Sequence, residues 1–589
     1  MNLSALFINR PVATTLLTIA IALAGSLAFI NLPVSSLPQV DLPTISVQAQ
    51  LPGASAETMS SSVATPLERA LGRIAGITEM TSSSTVGSTQ ITLQFDLNRD
   101  INGACKDVQA AINAATTMLP TNMPSRPSYR RFNPADSPIL ILALTSEHLT
   151  RGQLYDIAST NLAQKILQIP GMGQVQLGGA SLPAVRIDLN PNALNKYGIG
   201  LEDVRATINQ TNVNRPKGVI EDGAQRWQIL ANDQAKKAAD YLPLIVSYKN
   251  GAPVTIADLG KAEDSVEDLR NTGLKNGKPS VLLILTKQPT ANVIQTVDAV
   301  LALLPELRAT VPDSVELSVV VDRSMTIRSS ITEVEHSLLI AIALVILVVL
   351  VFLRNFRSAL VPIIAVPVSL IGACGVIYFF NYSLNNLTLM ALTISTGFVV
   401  DDAIVVLENT NRHIEKGVPP FKAALLGAKE VGFTVMAMSV SLIAVFLPIL
   451  LMGGVVGRIF REFAVTLSAA VLVSLLISLT VTPMLCARWL GKESPNHGRI
   501  YIGIGLAFDA LQRQYETSLR WALRHSRIMM LILLGTIGLN IHLYSVIDKG
   551  FFPNQDGGRL LGEIQADQGT SFISVQKKTR RIFGTVNAR

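Results

Sequence analysis

Seven stretches of the chain are apolar enough and long enough to cross a bilayer: Pro11–Leu32, Ser337–Leu353, Ala359–Phe380, Leu387–Leu407, Gly432–Met452, Ala464–Cys486 and Ile528–Ile547. About 20 apolar residues in a helix cover the hydrocarbon thickness, and each stretch is close to that length. The first is preceded by a single charge, Arg10, and has no small-x-small cleavage site before Pro33. It therefore reads as a retained helix and not as a removable signal. Pro362 and Pro367 in the third stretch read as bends.

Roughly 300 residues of different pattern separate the first stretch from the second. Residues 57–73 are amphipathic with helical period and stop before Gly76; alternating runs Ile77–Ser82 and Thr89–Phe95 follow. About 95 residues further on the order returns, with a helical pattern over Gln153–Ile169, a stop at Pro170-Gly171, and alternating runs Gln174–Leu177 and Ala184–Leu189. Matching stop signals and period-two runs predict two copies of a small αβ unit of the ferredoxin-like kind. Residues 190–270 are more polar, with turn signals at Asn214–Lys217 and Asn250–Pro253, and read as an added, outward-facing subdomain.

A second, longer repeat is visible. Leu37-Pro38-Gln39-Val40-Asp41 follows the first apolar stretch, and Phe552-Pro553-Asn554-Gln555-Asp556 follows the seventh, at an offset of 515. A strand over Gly562–Ala566 and a helix start after Gly569-Thr570-Ser571 are expected to mirror the residues after Asp41. Transporters are commonly built from two parallel repeats. The second copy is therefore expected to begin near residue 527 and to be cut short at Arg589.

Charge orients the chain. Arg10, Arg354, Arg357, Arg412, Lys416, Lys422, Lys429, Arg488, Lys492, Arg499, Arg513, Arg520, Arg524 and Arg527 fall in loops on one side, which is the cytoplasmic side by the excess of Lys and Arg. The large insert then lies outside the cytoplasm. Residues 508–521 mix apolar side chains with Arg513, Glu516 and Arg520 and read as a helix along the inner surface. With 15% charged residues and no basic patch interleaved with aromatics, nucleic acid is excluded as a partner. Cys105, Cys374 and Cys486 form no disulfide framework, and no spacing suits a metal.

The sharpest chemical signal is Asp401-Asp402, about 20 Å into the fourth stretch. Carboxylates at such depth are costly unless paired or neutralised, so a proton path is the default reading. Thr393, Gly397 and Asp401 share one face at i, i+4 and i+8, with Gly397 admitting a close helix. No other apolar stretch carries a Lys or Arg at mid-depth, so the cationic partner is expected to lie outside this chain. Glu408 lies one residue past the run and reads as a possible proton exit group. Glu335 and His336 open the second stretch, where they could take protons from outside, and read better as interface residues. An intramembrane aspartyl protease would need its two acids on different helices facing each other, and here they are adjacent on one.

Gly397-Phe398-Val399-Val400-Asp401-Asp402-Ala403-Ile404-Val405-Val406-Leu407-Glu408-Asn409 resembles the fourth-helix signature of the resistance–nodulation–division (RND) efflux pumps. Phe7-Ile8-Asn9-Arg10-Pro11-Val12-Ala13-Thr14, Leu51-Pro52-Gly53-Ala54-Ser55-Ala56-Glu57, Phe352-Leu353-Arg354-Asn355 and Gly457-Arg458-Ile459-Phe460-Arg461-Glu462-Phe463 add to the likeness, which covers the whole chain. The double aspartate matches the drug-exporting branch of that family. The resemblance implies a polytopic α-helical membrane protein of about seven crossings with a large periplasmic α+β region of porter subdomains. It divides the chain into a first helix at 1–32, porter subdomains at 33–180 and 271–335, a docking subdomain at 181–270, helices two to six at 336–487, a cytoplasmic loop with an interfacial helix at 488–526, a seventh helix at 527–548, and the start of a second periplasmic repeat at 549–589.

It further implies a secondary transporter and not an enzyme: a proton antiporter in the bacterial inner membrane, with Asp401 and Asp402 as the relay. The proton motive force takes the place of a cofactor. Implied partners are a trimer with a sister subunit, a periplasmic adaptor protein, an outer-membrane channel, membrane lipids, and small amphiphilic substrates such as drugs or bile-salt-like compounds. The family's relay lysine sits in the second repeat, so this chain alone is expected not to transport. The alternative is a non-transporting half that assembles with, or competes against, intact subunits.

Overall fold

The computed structural model describes residues 3–35, 37–38, 40–134, 137–212, 217–229, 234–289, 291–353, 356–490, 499–547, 562–567 and 569–587. Among them, seven helices are long and apolar enough to cross a membrane: Pro11–Asn31, Ser324–Leu353, Phe356–Phe379, Asn386–Glu415, Pro420–Leu451, Gly454–Trp489 and Ser526–Val546. They are called the first to seventh helices below. Several outrun the apolar stretches that mark them, because a helix continues past the membrane wherever its backbone bonds stay satisfied. The second helix begins at Ser324, so Glu335 and His336 lie several turns inside it and do not open it. The third helix continues through both Pro362 and Pro367. An amphipathic helix, Arg499–Arg524, precedes the seventh.

The third, fourth and sixth helices form the inside of the bundle, with half or more of each apolar window buried; the seventh window is 0% buried. Large apolar side chains such as Leu531 and Ile541 are therefore bare on the seventh helix.

The first soluble unit runs Thr44–Gln50 (strand), residues 56–71 (helix), Ile77–Thr85 and Ser88–Phe95 (strands), Ile101–Ala115 (helix) and Ser128–Phe132 (strand). Its strands lie in the spatial order second, third, first, fourth, all antiparallel. That is the split βαβ arrangement of ferredoxin-like folds. One face buries Ile45, Val47, Leu67, Phe95 and Ile112, each worth about 1.5–3 kcal/mol once out of water. Asp100 caps the Ile101 helix, accepting from the amides of Asn102 (3.3 Å) and Gly103 (2.8 Å). Those bonds, Gly103's first, hold its carboxyl below the ordinary Asp value. A depressed value gives stability that is present above the ordinary value and lost as pH falls through the folded one. Asp100→Ala is thus expected to lower the thermal midpoint of this unit at neutral pH. The gap to the parent chain should close in acid, as a pH series of melts would show.

The second unit repeats the order: Leu140–Ser146, a helix over residues 151–167, Met172–Gly178, Lys278–Lys287, Val293–Ala309 and Val315–Asp322, again second, third, first, fourth, with a short extra strand Gly273–Lys275 on the third. Both units carry a π-helical turn inside the first helix, Ser60–Ala64 and Ala158–Ala163. Both leave that helix through a left-handed glycine, Gly76 (φ 84) and Gly171 (φ 86).

The third strand of this unit corrects the reading of Ala184–Leu189 as its counterpart. Pro183–Leu189 pairs instead with Gly260–Val266, and Lys278–Lys287 takes the third position. The chain between them folds on its own small core of Leu194, Ile199, Val204, Val254 and Leu259. It is inserted where the first unit has the tight Val86-Gly87 hairpin turn. Period-two patterning shows that a run is a strand, but not its partner across an insertion.

Gly562–Ala566 is not a strand: residues 562–567 form no regular element, whereas a helix does run from Phe572 to Asn587. A strand needs a hydrogen-bonded neighbour, and among the described residues none lies beside it. The motif Phe552–Asp556 and three of the four residues of the Asn214–Lys217 turn signal lie outside the described residues.

Among the described residues, hydrogen bonds fasten the βαβ part to the bundle around Val34 and at Arg458. Leu384 before the fourth helix pairs with Val34 after the first: its amide donates to Pro33 (2.8 Å) and its carbonyl accepts from Ser35 (3.1 Å). One apolar cluster runs from the second sheet through Leu32, Ile331 and Leu384 to Leu370, Val399 and Ala470. At the head of the sixth helix, the Arg458 guanidinium donates to the carbonyls of Leu97 and Asp41 and to Asn98 Oδ1 in the first unit.

Candidate functional site

The fourth helix starts at a reciprocal cap. Asn385 Oδ1 accepts from the amides of Leu387 and Thr388 (both 3.0 Å), and the Asn385 amide donates to Thr388 Oγ1 (2.8 Å). Fixing the start fixes which side chains face the bundle sixteen residues later. Consecutive helical residues point about 100° apart, and the structure separates the two acids accordingly. Asp402 is 5% exposed, enclosed by helices four, five and six, while Asp401 is exposed on the outer surface of the bundle.

Two hydroxyls from different helices meet Asp402 Oδ2: Ser439 Oγ of the fifth helix donates at 3.2 Å and Ser474 Oγ of the sixth at 3.4 Å. Each also reaches a backbone carbonyl, Ser439 that of Val435 (3.0 Å) and Ser474 that of Val399 (3.1 Å). A serine has one hydrogen to give. An ionised Asp402 competes with the carbonyls for those hydrogens; a protonated one competes less well and can itself donate. Binding or releasing one proton therefore changes how the fourth helix is tied to the fifth, while Ser474 holds the sixth to the fourth through either Asp402 or Val399.

Thr393, Gly397 and Asp401 share a face, and that face is open. Thr393 is half-buried with its hydroxyl on its own Leu389 carbonyl, and a Cβ placed on Gly397 would meet nothing within 4 Å. Glu408 is exposed and is not joined to Asp402. The acid that links helices at this end is Glu430 of the fifth helix, which accepts from Asn409 (3.1 Å) and Arg412 (3.3 Å) and bonds His413 (3.0 Å) of the fourth. Among the described residues no three His, Cys, Asp or Glu side chains gather as a metal site.

Sequence reasoning missed Glu462. It reads as a loop charge beside Arg458 and Arg461, two residues ahead of the apolar stretch from Ala464. The sixth helix in fact begins at Gly454, which places Glu462 more than two turns inside it and 7% exposed. It accepts from Asn385 Nδ2 (2.7 Å) and from Ser383, and so joins the sixth helix to the cap of the fourth. No cation pairs with it among the described residues. It lines a cavity of about 390 Å³ with Ser35, Lys287, Gln295 and Tyr382. The available signal was a lone acid at helical spacing from the hydroxyls that follow it. Glu462→Ala would leave the Ser383 donors short of an acceptor and cut the bond from the sixth helix to Asn385. A loss of about 1–3 kcal/mol is expected, readable by thermal unfolding in detergent.

Seven helices apolar and long enough to cross a membrane, with a buried acid among them and two split βαβ units beside them, define a polytopic membrane protein. The chain belongs to the AcrB/AcrD/AcrF family, whose sequence profile it matches over residues 3–589, within the resistance–nodulation–division class. It is 60% identical over 578 residues to "Multidrug resistance protein MdtC" of Serratia proteamaculans (strain 568), covering 98% of this chain and 56% of that protein. It is 59% identical over 589 residues to the protein of the same name from Yersinia pseudotuberculosis serotype O:3 (strain YPIII), covering 100% and 57%. It is 59% identical over 578 residues to that of Escherichia coli (strain SMS-3-5 / SECEC), covering 98% and 56%. The chain thus spans 56–57% of the length of these relatives.

Proposed function

We propose that the chain acts as an inner-membrane subunit of a tripartite pump that exports drugs or other small amphiphiles in exchange for protons. The observation that carries this reading is Asp402, buried among three helices and held by single-hydrogen donors from two of them. A carboxyl in that setting can change its proton load and pass the change to its neighbours. Asp401 supplies the second acid of the relay. Its open face with Gly397 and Thr393 suits a further helix carrying a lysine, since a glycine lets backbones approach and an exposed acid there wants a cation.

The Lys- and Arg-rich side faces the cytoplasm, so the two split βαβ units lie in the periplasm as porter subdomains. The inserted module around 181–270 meets an outer-membrane channel. The assembly is a trimer with a sister subunit, served by a periplasmic adaptor. The test is export of a fluorescent amphiphile by the assembled pump in proteoliposomes under an imposed proton gradient. Export is expected to follow the gradient; equal export without it would overturn the reading.

A further inference from the structure

Every fourth residue of the sixth helix from Glu462 falls on one ridge: Glu462, Thr466, Ala470, Ser474, Ser478 and Thr482. All six are buried, and five carry a polar side chain. Glu462 faces the cavity at the head of the helix, and Ser474 touches Asp402. The hydroxyls of Thr466, Ser478 and Thr482 have no hydrogen-bond partner among the described residues, not even the carbonyl one turn back that Thr480 uses (2.6 Å). Ser478 and Thr482 stand about 6 and 12 Å beyond Ser474, and Thr466 about 12 Å before it.

Hydroxyls can serve merely to glue helices together, but that role requires a partner across the interface. A buried, unsatisfied hydroxyl is destabilising, and three on one ridge call for an explanation. The ridge starts at a cavity, passes the buried acid and continues toward the opposite end of the same helix.

We propose that this ridge is a proton path: Glu462 takes a proton from the cavity, Thr466 passes it toward Asp402, and Ser478 and Thr482 lead it away. Water molecules bridge the roughly 6 Å steps. Each hydroxyl accepts a proton on one side while releasing its own on the other, so no group on the path is changed after one passage. The ridge carries no hydroxyl at Ala470, so water alone bridges that longer step. This inference rests on the proton-pump reading above.

The test uses the assembled pump in proteoliposomes, with turnover and KM for a fluorescent amphiphile read beside the thermal midpoint of the purified chain. The double variant Ser478→Ala with Thr482→Val removes two unsatisfied hydroxyls and keeps the volume nearly constant. Turnover is expected to fall on the order of 10-fold or more with KM unchanged, while the midpoint stays level or rises. Ser478→Thr, which keeps the hydroxyl, is expected to retain turnover. Normal turnover in the double variant overturns the path, as does a joint fall of turnover and midpoint, since that marks a packing role. Asp402→Asn in the same assay separates the two claims. If it transports normally the proton-pump reading itself fails; if it is silent while the ridge variants are normal, only the path fails.

Discussion

If the chain is the proposed proton-driven pump subunit, Asp402→Asn is expected to stop export by the assembled pump, with a loss on the order of 100-fold or more and with the chain still present in the membrane at its usual level. The substitution is nearly isosteric. An asparagine oxygen can still accept from Ser439 Oγ and Ser474 Oγ, so the three helices keep their contacts. What it cannot do is take up and give back a proton. Packing survives and the cycle does not, which is the signature separating a proton carrier from a static buried group. Asp402→Ala removes the acceptor as well and is expected to lose stability along with transport. Asp401→Asn is expected to abolish export too, without a cost to the bundle, because Asp401 lies on the open face. Drug accumulation in cells lacking other pumps, measured with membrane levels of the chain, checks all three. Normal resistance in Asp402→Asn would remove the relay assignment.

Gly25→Val is expected to cost about 3 kcal/mol, the upper end of the usual overpacking range, for a reason unrelated to the proton site. The first helix crosses the third so closely that a Cβ on Gly25 would stand 2.1 Å from the Ile371 carbonyl oxygen and 2.6 Å from its carbon. The obstacle is helical backbone, which cannot rotate aside as a side chain could. The two helices would have to separate, opening the contacts that run from Leu32 into the core of the bundle. Gly535→Ala in the seventh helix is the control: nothing lies within 4 Å of the added carbon, and removing a helical glycine is worth up to about 1 kcal/mol. The two variants should diverge in detergent melting, the first lowered strongly and the second level or raised. Equal midpoints would show that the first and third helices do not meet as described.

Much of the architecture was legible before any coordinates. The apolar stretches found the seven long helices, because transfer out of water depends on local composition and needs no knowledge of partners. Helix stops at Gly76 and Pro170-Gly171 located the first helix of each split βαβ unit. Pairing was not legible in the same way. Ala184–Leu189 has the alternation of a strand, but its partner lies some 75 residues away in the inserted module, and Lys278–Lys287 occupies the place it was expected to take. Gly562–Ala566 has the same alternation but no neighbour to bond among the described residues, and it forms no strand. Glu462 was hidden for a third reason. Next to two arginines it looks like loop charge, and only the true start of the sixth helix at Gly454 places it inside, on Asn385.

The sequence by itself determined that this chain is a bundle of apolar helices bearing two adjacent acids at depth, since hydrophobicity and charge are written residue by residue. It also determined that those acids point in different directions, because the helical turn is fixed at 3.6 residues. Only the tertiary structure decided that Asp402 and not Asp401 turns inward, and that Ser439 and Ser474 come from separate helices to meet it. It alone decided that the residues from Glu462 to Thr482 are buried and that Ser474 among them meets Asp402. Those outcomes depend on which helix packs against which face, and that choice is made by contacts between residues tens to hundreds of positions apart.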